Sequence, residues 1–280
     1  MNYKKIYDGL NKSEIFNPGD ESIWTNEHMA TSMLTAHLDD SNDAASYNAL
    51  KRKQICDFII DKTDVTMGDK IVDFGCGPGL YCNAFALDGY DVTGIDQSDN
   101  SLGYGRDRAE ADGINIDYIN EDYTKISGLY DYSLAIMISC DYGVLPPSQR
   151  KLFLKNVNDS LASGGYFVLD VMNENEYNNQ KQNSENTWSQ EESGFYRPHP
   201  YTVMSRKHFY DDEKVICDTH CVLDGASTIY KVYQTYFTKN RITAELDESG
   251  FEVVGVYGNL LGDELTSKSS KMGIVCRKID

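Results

Sequence analysis

The segment Val72-Asp73-Phe74-Gly75-Cys76-Gly77-Pro78-Gly79 is the most informative part of the sequence, because it joins a predicted strand to a predicted helix. Residues 70–74 form a short apolar run that predicts a buried strand, and a helical pattern begins directly after Gly79. Glycines at such a turn permit positive φ angles and let a ligand lie against bare backbone, while the helix start offers free N–H groups. Taken alone, this loop leaves a tight turn without a ligand as an alternative interpretation.

Strands and helices alternate in the chain around this loop. Further apolar runs predict strands at residues 91–96, 114–119, 130–138 and 165–171. Helical patterns separate them, and these start after Gly79, Ser98 and Ser148 and stop near Gly89, Gly113 and Gly164. Because parallel neighbours need a crossover rather than a tight turn, this order predicts an open α/β sheet of the Rossmann-like, doubly wound kind.

The flanking segments depart from that alternation. Residues 23–61 predict two helices, and residues 173–200, rich in Asn, Gln, Glu and Ser, predict a long exposed loop. An antiparallel β meander is expected over residues 201–210, 214–222 and 228–237. A final helix over residues 240–249 and strands over 251–257 and 272–278 are expected to return the chain to the main sheet.

The composition excludes several classes of protein. The 280 residues carry 26 Lys and Arg against 44 Asp and Glu, a formal net charge of -18, which should repel nucleic acid and anionic lipid. Without an apolar run of about 20 residues or an apolar leader at the start, we expect no membrane segment and a cytoplasmic location. Seven scattered cysteines indicate reduced thiols.

Acidic residues follow the predicted strands at the same edge of the sheet. Asp96 ends the second strand 17 residues after Gly79 (96 minus 79), where nucleotide-binding sheets place an acid on ribose hydroxyls, and Asp122 follows the third strand. A dinucleotide fingerprint needs a third glycine where Leu80 stands. Asp73 would repel a pyrophosphate and attract a ligand that carries a sulfonium and an ammonium group.

These motifs together resemble the class I S-adenosylmethionine-dependent methyltransferases. The resemblance is carried by D-F-G-C-G-P-G at 73–79, G-I-D at 94–96, E-D-Y at 121–123 and G-G-Y-F at 164–167. It implies a seven-stranded, mostly parallel sheet with an antiparallel last strand, S-adenosylmethionine as cofactor and S-adenosylhomocysteine as product. The predicted meander resembles the small-molecule branch of the family, and no N/D-P-P-Y/F signature of DNA amino-methylating enzymes is found.

The resemblance also assigns roles to residues. Asp73 and the loop residues Gly75, Cys76, Gly77, Pro78 and Gly79 would hold the methionine part of the cofactor. Asp96 would bind the ribose hydroxyls, Gln97 with Asp122 and Tyr123 would bind the adenine, and Cys140 would line the site after the fourth strand. The expected units are residues 1–50 as an N-terminal helical cap, 51–171 as the core, 172–238 as an acceptor lid and 239–280 as the segment that completes the sheet.

Methyl transfer is an in-line displacement at an activated carbon, so the protein mainly holds the acceptor and excludes water. Asp141 and Tyr142, directly after the fourth strand, are candidates for acceptor contacts, although an ordinary turn is nearly as good an interpretation. His28 is a further catalytic candidate, while His37 lies on an apolar face and is expected to pack. The expected acceptor-pocket residues, for which core packing or a solvated loop is the alternative, are Trp24, Tyr47, Arg197 and His199.

A metal site near Cys217 is not expected. In a strand, Cys217 and Cys221 share one face while His220 points to the other, and no fourth ligand is evident.

The leading hypothesis is therefore a methyltransferase that acts on nitrogen or oxygen of a small molecule, as a monomer or homodimer. A nicotinamide-dependent oxidoreductase, disfavoured by Leu80 and Asp73, is one alternative. The others are a binder of S-adenosylmethionine that does not transfer the methyl group and an RNA methyltransferase, the latter opposed by the charge of -18.

Overall fold

The computed structural model describes residues 3–24, 26–41 and 45–279 and is built around one mixed β sheet. Five parallel strands lie in the order β3-β2-β1-β4-β5. Their bounds are Lys70–Phe74 (β1), Asp91–Asp96 (β2), Asp117–Asn120 (β3), Tyr132–Met137 (β4) and Leu161–Asn173 (β5). At the β5 edge, β11 (Lys271–Lys278) pairs antiparallel with β5, and β10 (Phe251–Tyr257) pairs antiparallel with β11. The predicted mostly parallel core with an antiparallel last strand is present.

Helices cover both faces of this core, because consecutive strand residues point to opposite sides. On one face, α3 (Ala49–Lys62), α4 (Leu80–Leu87) and α5 (Asp99–Asp112) bury apolar side chains against Ile71, Leu134 and Val168. On the other, α6 (Pro147–Ser160) and α8 (Lys239–Asp247) pack on Val72, Ala135 and Phe167. The sheet is therefore doubly wound, as expected. Among the described residues, no helix has the length and apolarity to cross a membrane.

Some helices and strands begin or end at residues other than those predicted. The third strand starts at Asp117 rather than at residue 114, and α6 ends at Ser160 rather than near Gly164. Gly164 instead has φ +71° within β5, where the register against β4 shifts after Tyr132. Ser98 caps α5 by accepting from the N–H of Ser101, and Gly113 ends that helix in the left-handed region, as predicted.

An antiparallel arm of four strands extends from β5. Strand β9 (Ser227–Phe237) pairs with β5 at Met172 and Asn173, and β8 (Val215–Leu223), β7 (Tyr201–Tyr210) and β6 (Thr187–Glu191) follow in order. The prediction of a long loop over residues 173–200 is wrong, because this segment forms α7 (Glu174–Asn183) and β6. Tyr177 anchors α7, buried against Phe209 and Tyr236.

The two faces of this arm are covered differently. Its outward face is covered by the N-terminal segment, since α1 (Tyr3–Leu10) and residues 13–20 contact β7 to β9. The opposite face, here called the inward face, includes Val203, His220, Tyr230 and Gln234. Met29 of α2 (Glu27–His37) packs on one end of it, and Tyr177 packs on the other. The Gln234 amide donates to the Cys140 carbonyl (3.4 Å), so this face looks toward the carboxyl edge of the core.

A buried ion pair joins these parts. Arg150 of α6, 2% exposed, donates through Nε and Nη2 to both carboxylate oxygens of Glu245 in α8 (2.8 and 2.9 Å). It also donates to the Leu145 carbonyl (2.8 Å) and to the hydroxyl of Thr235 in β9 (3.4 Å). One side chain therefore connects the segment after β4, the C-terminal helix and the arm.

We predict that Arg150→Met lowers the free energy of unfolding by about 3 kcal/mol, because Glu245 loses its bidentate partner and keeps only the weaker contacts with Tyr142 and Arg241. Urea denaturation of both proteins measures this difference. Lys151→Met, at the exposed next position of the same helix, should change it by no more than about 0.5 kcal/mol. Equal effects of the two substitutions would show that the ion pair does not stabilise the fold.

Candidate functional site

The glycine loop between β1 and α4 lies at the carboxyl edge of the sheet and requires its glycines. Gly75, Gly77 and Gly79 have φ of +78°, +53° and +70°. A Cβ on Gly79 would lie 2.0 Å from the Tyr118 hydroxyl, and one on Gly75 would lie 2.7 Å from a carboxylate oxygen of Asp141. The loop therefore packs against Tyr118 and Asp141, whereas a Cβ on Gly77 would have no atom closer than 3.9 Å. Its other two members, Cys76 and Pro78, are buried.

Asp96 is held against this loop. Its Oδ2 accepts from the Gly77 N–H (2.9 Å) and its Oδ1 accepts from the Ser98 N–H (2.7 Å). The N–H groups of Gly75 and Cys76 both donate to the carbonyl of Ile95 (2.8 and 3.0 Å). The end of β2 thus fixes the loop and the carboxylate in one unit.

Two further carboxyl groups have raised pKa values. Asp73 is 3% exposed and accepts from the Cys82 thiol (3.4 Å), and burial raises its pKa to about 7. Asp141 accepts from the Tyr123 hydroxyl (2.8 Å), and burial raises its pKa to about 6, with Asp96 and Asp170 adding to the effect. These acids can change charge near neutral pH, which makes the region a candidate functional site.

The residues expected to bind adenine lie near Asp96 in the sequence or at the same sheet edge, but their side chains differ in exposure and in the hydrogen bonds that they already form. Gln97 is exposed. Asp122 accepts from the backbone and hydroxyl of Thr124 (2.9 and 2.7 Å) and pairs with Lys125 (2.8 Å). Tyr123 is buried edge-on against Phe153, and its hydroxyl is engaged by Asp141. That these residues contact adenine remains a prediction.

The end of β4 brings Cys140 to the same edge. Ser139 and Cys140 have φ of +77° and +62°, a conformation that side chains rarely adopt. The Cys140 N–H donates to Asp170 of β5 (2.8 Å). Tyr47, predicted from sequence to line the acceptor pocket, also reaches this edge, since its hydroxyl accepts from Lys271 (3.2 Å) and Lys271 lies 3.9 Å from Asp170.

The predicted acceptor contact of Tyr142 is wrong. Tyr142 is 0% exposed, its hydroxyl donates to Glu245 (2.9 Å), and its ring packs against Phe237. The 3₁₀ turn Asp141–Val144 explains the difference, because consecutive side chains in it point to different sides. Asp141 therefore faces the glycine loop while Tyr142 faces the core.

The remaining predicted residues lie at the end of the arm. His28 contacts the Gly194 carbonyl (2.8 Å), and Trp24 is 44% exposed. Arg197 donates to Asp224 (2.6 Å), Thr228 (3.1 Å) and Tyr230 (2.9 Å), so its described hydrogen bonds tie the loop to the sheet. His199 lies 3.7 Å from Asp224. No described contact joins these four residues to the glycine loop, and their roles in catalysis or acceptor binding stay predictions.

The sequence did not indicate a functional role for several residues that lie near the glycine loop or on the inward face of the arm. His37 lies over the loop, 3.9 Å from a Cβ built on Gly77, and burial lowers its pKa although Asp96 opposes the shift. The inward face carries polar pairs between its apolar ends, with Ser205 on His220 (2.8 Å) and Lys207 on Asp218 (2.7 Å). Polar side chains at positions 218 and 220 of an otherwise apolar strand were the available signal.

The faces of β8 agree with the sequence prediction. Cys217 and Cys221 lie on the outward face, and His220 lies on the inward one. In residues 3–24, 26–41 and 45–279 no group of three or more His, Cys, Asp or Glu side chains could hold a metal ion.

Comparison with known proteins identifies the domain. Residues 71–165 match a family described as a methyltransferase domain. A ubiquinone biosynthesis O-methyltransferase of Idiomarina loihiensis is 32% identical over 120 residues, 42% of this chain and 48% of that protein. Carboxy-S-adenosyl-L-methionine synthase of Nautilia profundicola is 30% identical over 105 residues, 36% of this chain and 43% of that protein. The chain spans less than half the length of these relatives.

A solved structure covers much more of the chain. The S-adenosylmethionine-dependent methyltransferase from Clostridium acetobutylicum matches with a TM-score of 0.68, over 88% of this chain and 98% of that one. The sequence identity is 15%, so this likeness concerns the fold. Residues 71–165 therefore form a methyltransferase domain, and most of the chain shares the fold of an S-adenosylmethionine-dependent methyltransferase.

Proposed function

We propose that this protein transfers the methyl group of S-adenosylmethionine to a nitrogen or oxygen atom of a small molecule and releases S-adenosylhomocysteine. The main support for the proposal is that three carboxyl groups, those of Asp73, Asp96 and Asp141, lie around the glycine loop. A small acceptor is supported by the similarity of this chain to a ubiquinone biosynthesis O-methyltransferase.

The residues present fit this cofactor. A sulfonium and an ammonium group are cations, and ionised Asp73 and Asp141 would attract both, whereas they would repel a pyrophosphate. Asp96 is in place to receive ribose hydroxyls beside the exposed backbone of Gly77. The cofactor supplies the activated methyl group, and the chain contributes binding, orientation and exclusion of water.

The inward face of the arm is our candidate for the acceptor surface, which would make residues 172–238 a lid. Gln234 touches the Cys140 carbonyl, so acceptor atoms near this contact would lie beside the end of β4. His220 supplies an imidazole whose Nδ1 contacts Ser205 and whose pKa is lowered mainly by burial, opposed by Asp218. A neutral imidazole and an amide suit an uncharged or cationic acceptor that forms hydrogen bonds. Asp141, ionised above about pH 6, would add negative charge near the transferred methyl group.

Methyl transfer from radiolabelled S-adenosylmethionine to a panel of small amines, phenols and alcohols tests the proposed function. We expect turnover with at least one of them, and Gln234→Ala and His220→Ala should each lower it about ten-fold or more, because a lost hydrogen bond to the acceptor removes on the order of 1.5 kcal/mol. Affinity for S-adenosylhomocysteine should stay unchanged in both.

Arg206→Gln is the matched control, since Arg206 is an exposed residue on the outward side of β7. Transfer to a tRNA preparation but to no small molecule would contradict the proposal. Tight cofactor binding with no transfer to any acceptor would favour a protein that binds the cofactor without using it.

The pKa values of Asp73 and Asp141 predict a pH dependence of cofactor affinity. Both carboxyl groups lose their protons between about pH 5.5 and 8. If only the ionised form of Asp73 binds the cation, affinity for S-adenosylmethionine rises roughly 30-fold over this range. S-adenosylhomocysteine lacks the sulfonium charge, so its affinity should rise less. Calorimetric titrations at several pH values measure both.

The carboxyl groups of Asp73 and Asp141 should also make the stability of the cofactor-free protein depend on pH, in the opposite direction to cofactor affinity. A carboxyl group whose folded pKa is raised binds its proton more tightly when folded, so the free energy of unfolding should fall as the pH rises from about 4 to about 7. Asp73→Asn should remove most of both pH effects. An affinity for S-adenosylmethionine that is flat from pH 5.5 to 8 would contradict an electrostatic role for these acids.

A further inference from the structure

His208 of β7 lies on the outward face of the arm, buried beneath the N-terminal segment (residues 3–20). The residue is 6% exposed, and its Nε2 atom is buried without a hydrogen-bond partner. The opposite residue, Cys217 of β8, belongs to an apolar cluster that Ile15 and Phe16 of the segment cover. A buried nitrogen without a partner is costly, and Nε2 would regain water if the segment moved away.

The groups that face this imidazole are cationic or neutral. They are three cations, two phenols and a thiol: Lys12, Arg206, Lys231, Tyr210, Tyr233 and Cys217. Lys12 donates to the carbonyl of Phe209, the residue next to His208 (2.6 Å), so the segment itself brings one of these cations. Burial lowers the pKa of His208, and the charge of Arg206 lowers it further. A neutral imidazole therefore fits this site, whereas an imidazolium would add a fourth positive charge where little water is present.

The acids of the N-terminal segment make contacts elsewhere. Asp20 pairs with Lys5 (2.9 Å) and accepts from the Ile229 N–H (2.8 Å). Asp8 lines the same groove beside Ile229, and Glu14 is exposed. Within this segment, all of which the structure describes, no ion pair joins a carboxylate to the imidazole.

Hydrogen bonds around the imidazole fasten the segment to the arm. Tyr210, two residues further along the same face, donates to the Ser13 carbonyl (2.8 Å), and Tyr233 donates to the Asn17 carbonyl (2.8 Å). A positive charge on the imidazole would repel Lys12, and Ser13 follows Lys12 in the chain. The repulsion would therefore act directly on the stretch that these bonds hold.

The N-terminal segment leads into the helix that covers the glycine loop. Glu21, directly after the segment, accepts from the Tyr230 hydroxyl (2.9 Å). Helix α2 follows, with Met29 on the inward face and His37 over Gly77. Release of the segment would therefore loosen the hold on α2 from its N-terminal side and open the approach to the loop.

We propose that His208 makes the attachment of the N-terminal segment pH-dependent, with the segment fastened at neutral pH and released when the imidazole takes up a proton. The inference goes beyond the proposed function and does not depend on it. Because protonation is disfavoured while the segment is attached, attachment is strongest above the ordinary histidine pKa of 6.5 and weakens as the pH falls below it. In the released form, water solvates the imidazolium and Lys12 no longer lies beside it.

Hydrogen exchange of the full chain, followed by mass spectrometry at pH 5.5 and 7.5, tests the proposal. After correction for the intrinsic exchange rate at each pH, protection of peptides from residues 3–20 should be roughly five- to ten-fold lower at pH 5.5, the ratio for a histidine that stays neutral in the attached form. Peptides from β1 should keep their protection, because the core does not depend on this attachment.

His208→Phe and His208→Gln, one apolar and one polar substitution that cannot titrate, should each abolish the difference between the two pH values. His199→Gln, at a histidine whose side chain is 54% exposed, is the control and should keep the wild-type difference. In wild-type protein, the nuclear magnetic resonance signals of the His208 ring should titrate over the pH range in which protection is lost. The proposal is overturned if wild-type protection of residues 3–20 is equal at both pH values, if the ring titrates outside that range, or if the difference persists in either folded His208 variant.

Discussion

The carbonyl of Ile95 accepts hydrogen bonds from the N–H groups of both Gly75 and Cys76, and the next residue, Asp96, accepts from Gly77. These three bonds join the end of β2 to the loop after β1, and the geometry of the site depends on them. Because the loop cannot move independently of the strand, the glycine backbone and the Asp96 carboxylate stay in one register. Asp141, which follows β4, packs against the loop, since a Cβ on Gly75 would lie 2.7 Å from its carboxylate oxygen.

The arm from β6 to β9 is tied to this edge at few points. It pairs with β5 through Met172 and Asn173, and Arg150 and Gln234 bind it to the segment after β4. Helix α2 spans from Met29 on the inward face to His37 over the glycine loop, roughly 12 Å at 1.5 Å per residue. The inward face, which we propose as the acceptor surface, is thus held at this edge by contacts that differ from those that shape the loop itself.

The fold could be predicted from the sequence because its signals are local. Glycine positions, strand periodicity and the cap at Ser98 each follow from neighbouring residues, and the spacing of the acids Asp73 in β1 and Asp96 at the end of β2 indicates their place beside the loop. Tyr142 could not be assigned, since only the 3₁₀ turn decides which of two adjacent side chains enters the core. Helix α7 was missed because one buried residue, Tyr177, anchors an otherwise polar segment. The contact between Tyr47 and Lys271 joins two distant segments, which no local pattern indicates.

Calorimetric titration of the purified protein with S-adenosylmethionine, S-adenosylhomocysteine and NAD tests whether the acidic glycine loop selects a sulfonium nucleotide rather than a dinucleotide. If the loop has this selectivity, we expect saturable binding of the first two, loss of that binding in Asp96→Ala, and no binding of NAD. Binding of NAD alone, or binding of S-adenosylmethionine that is unaffected by Asp96→Ala, would contradict it.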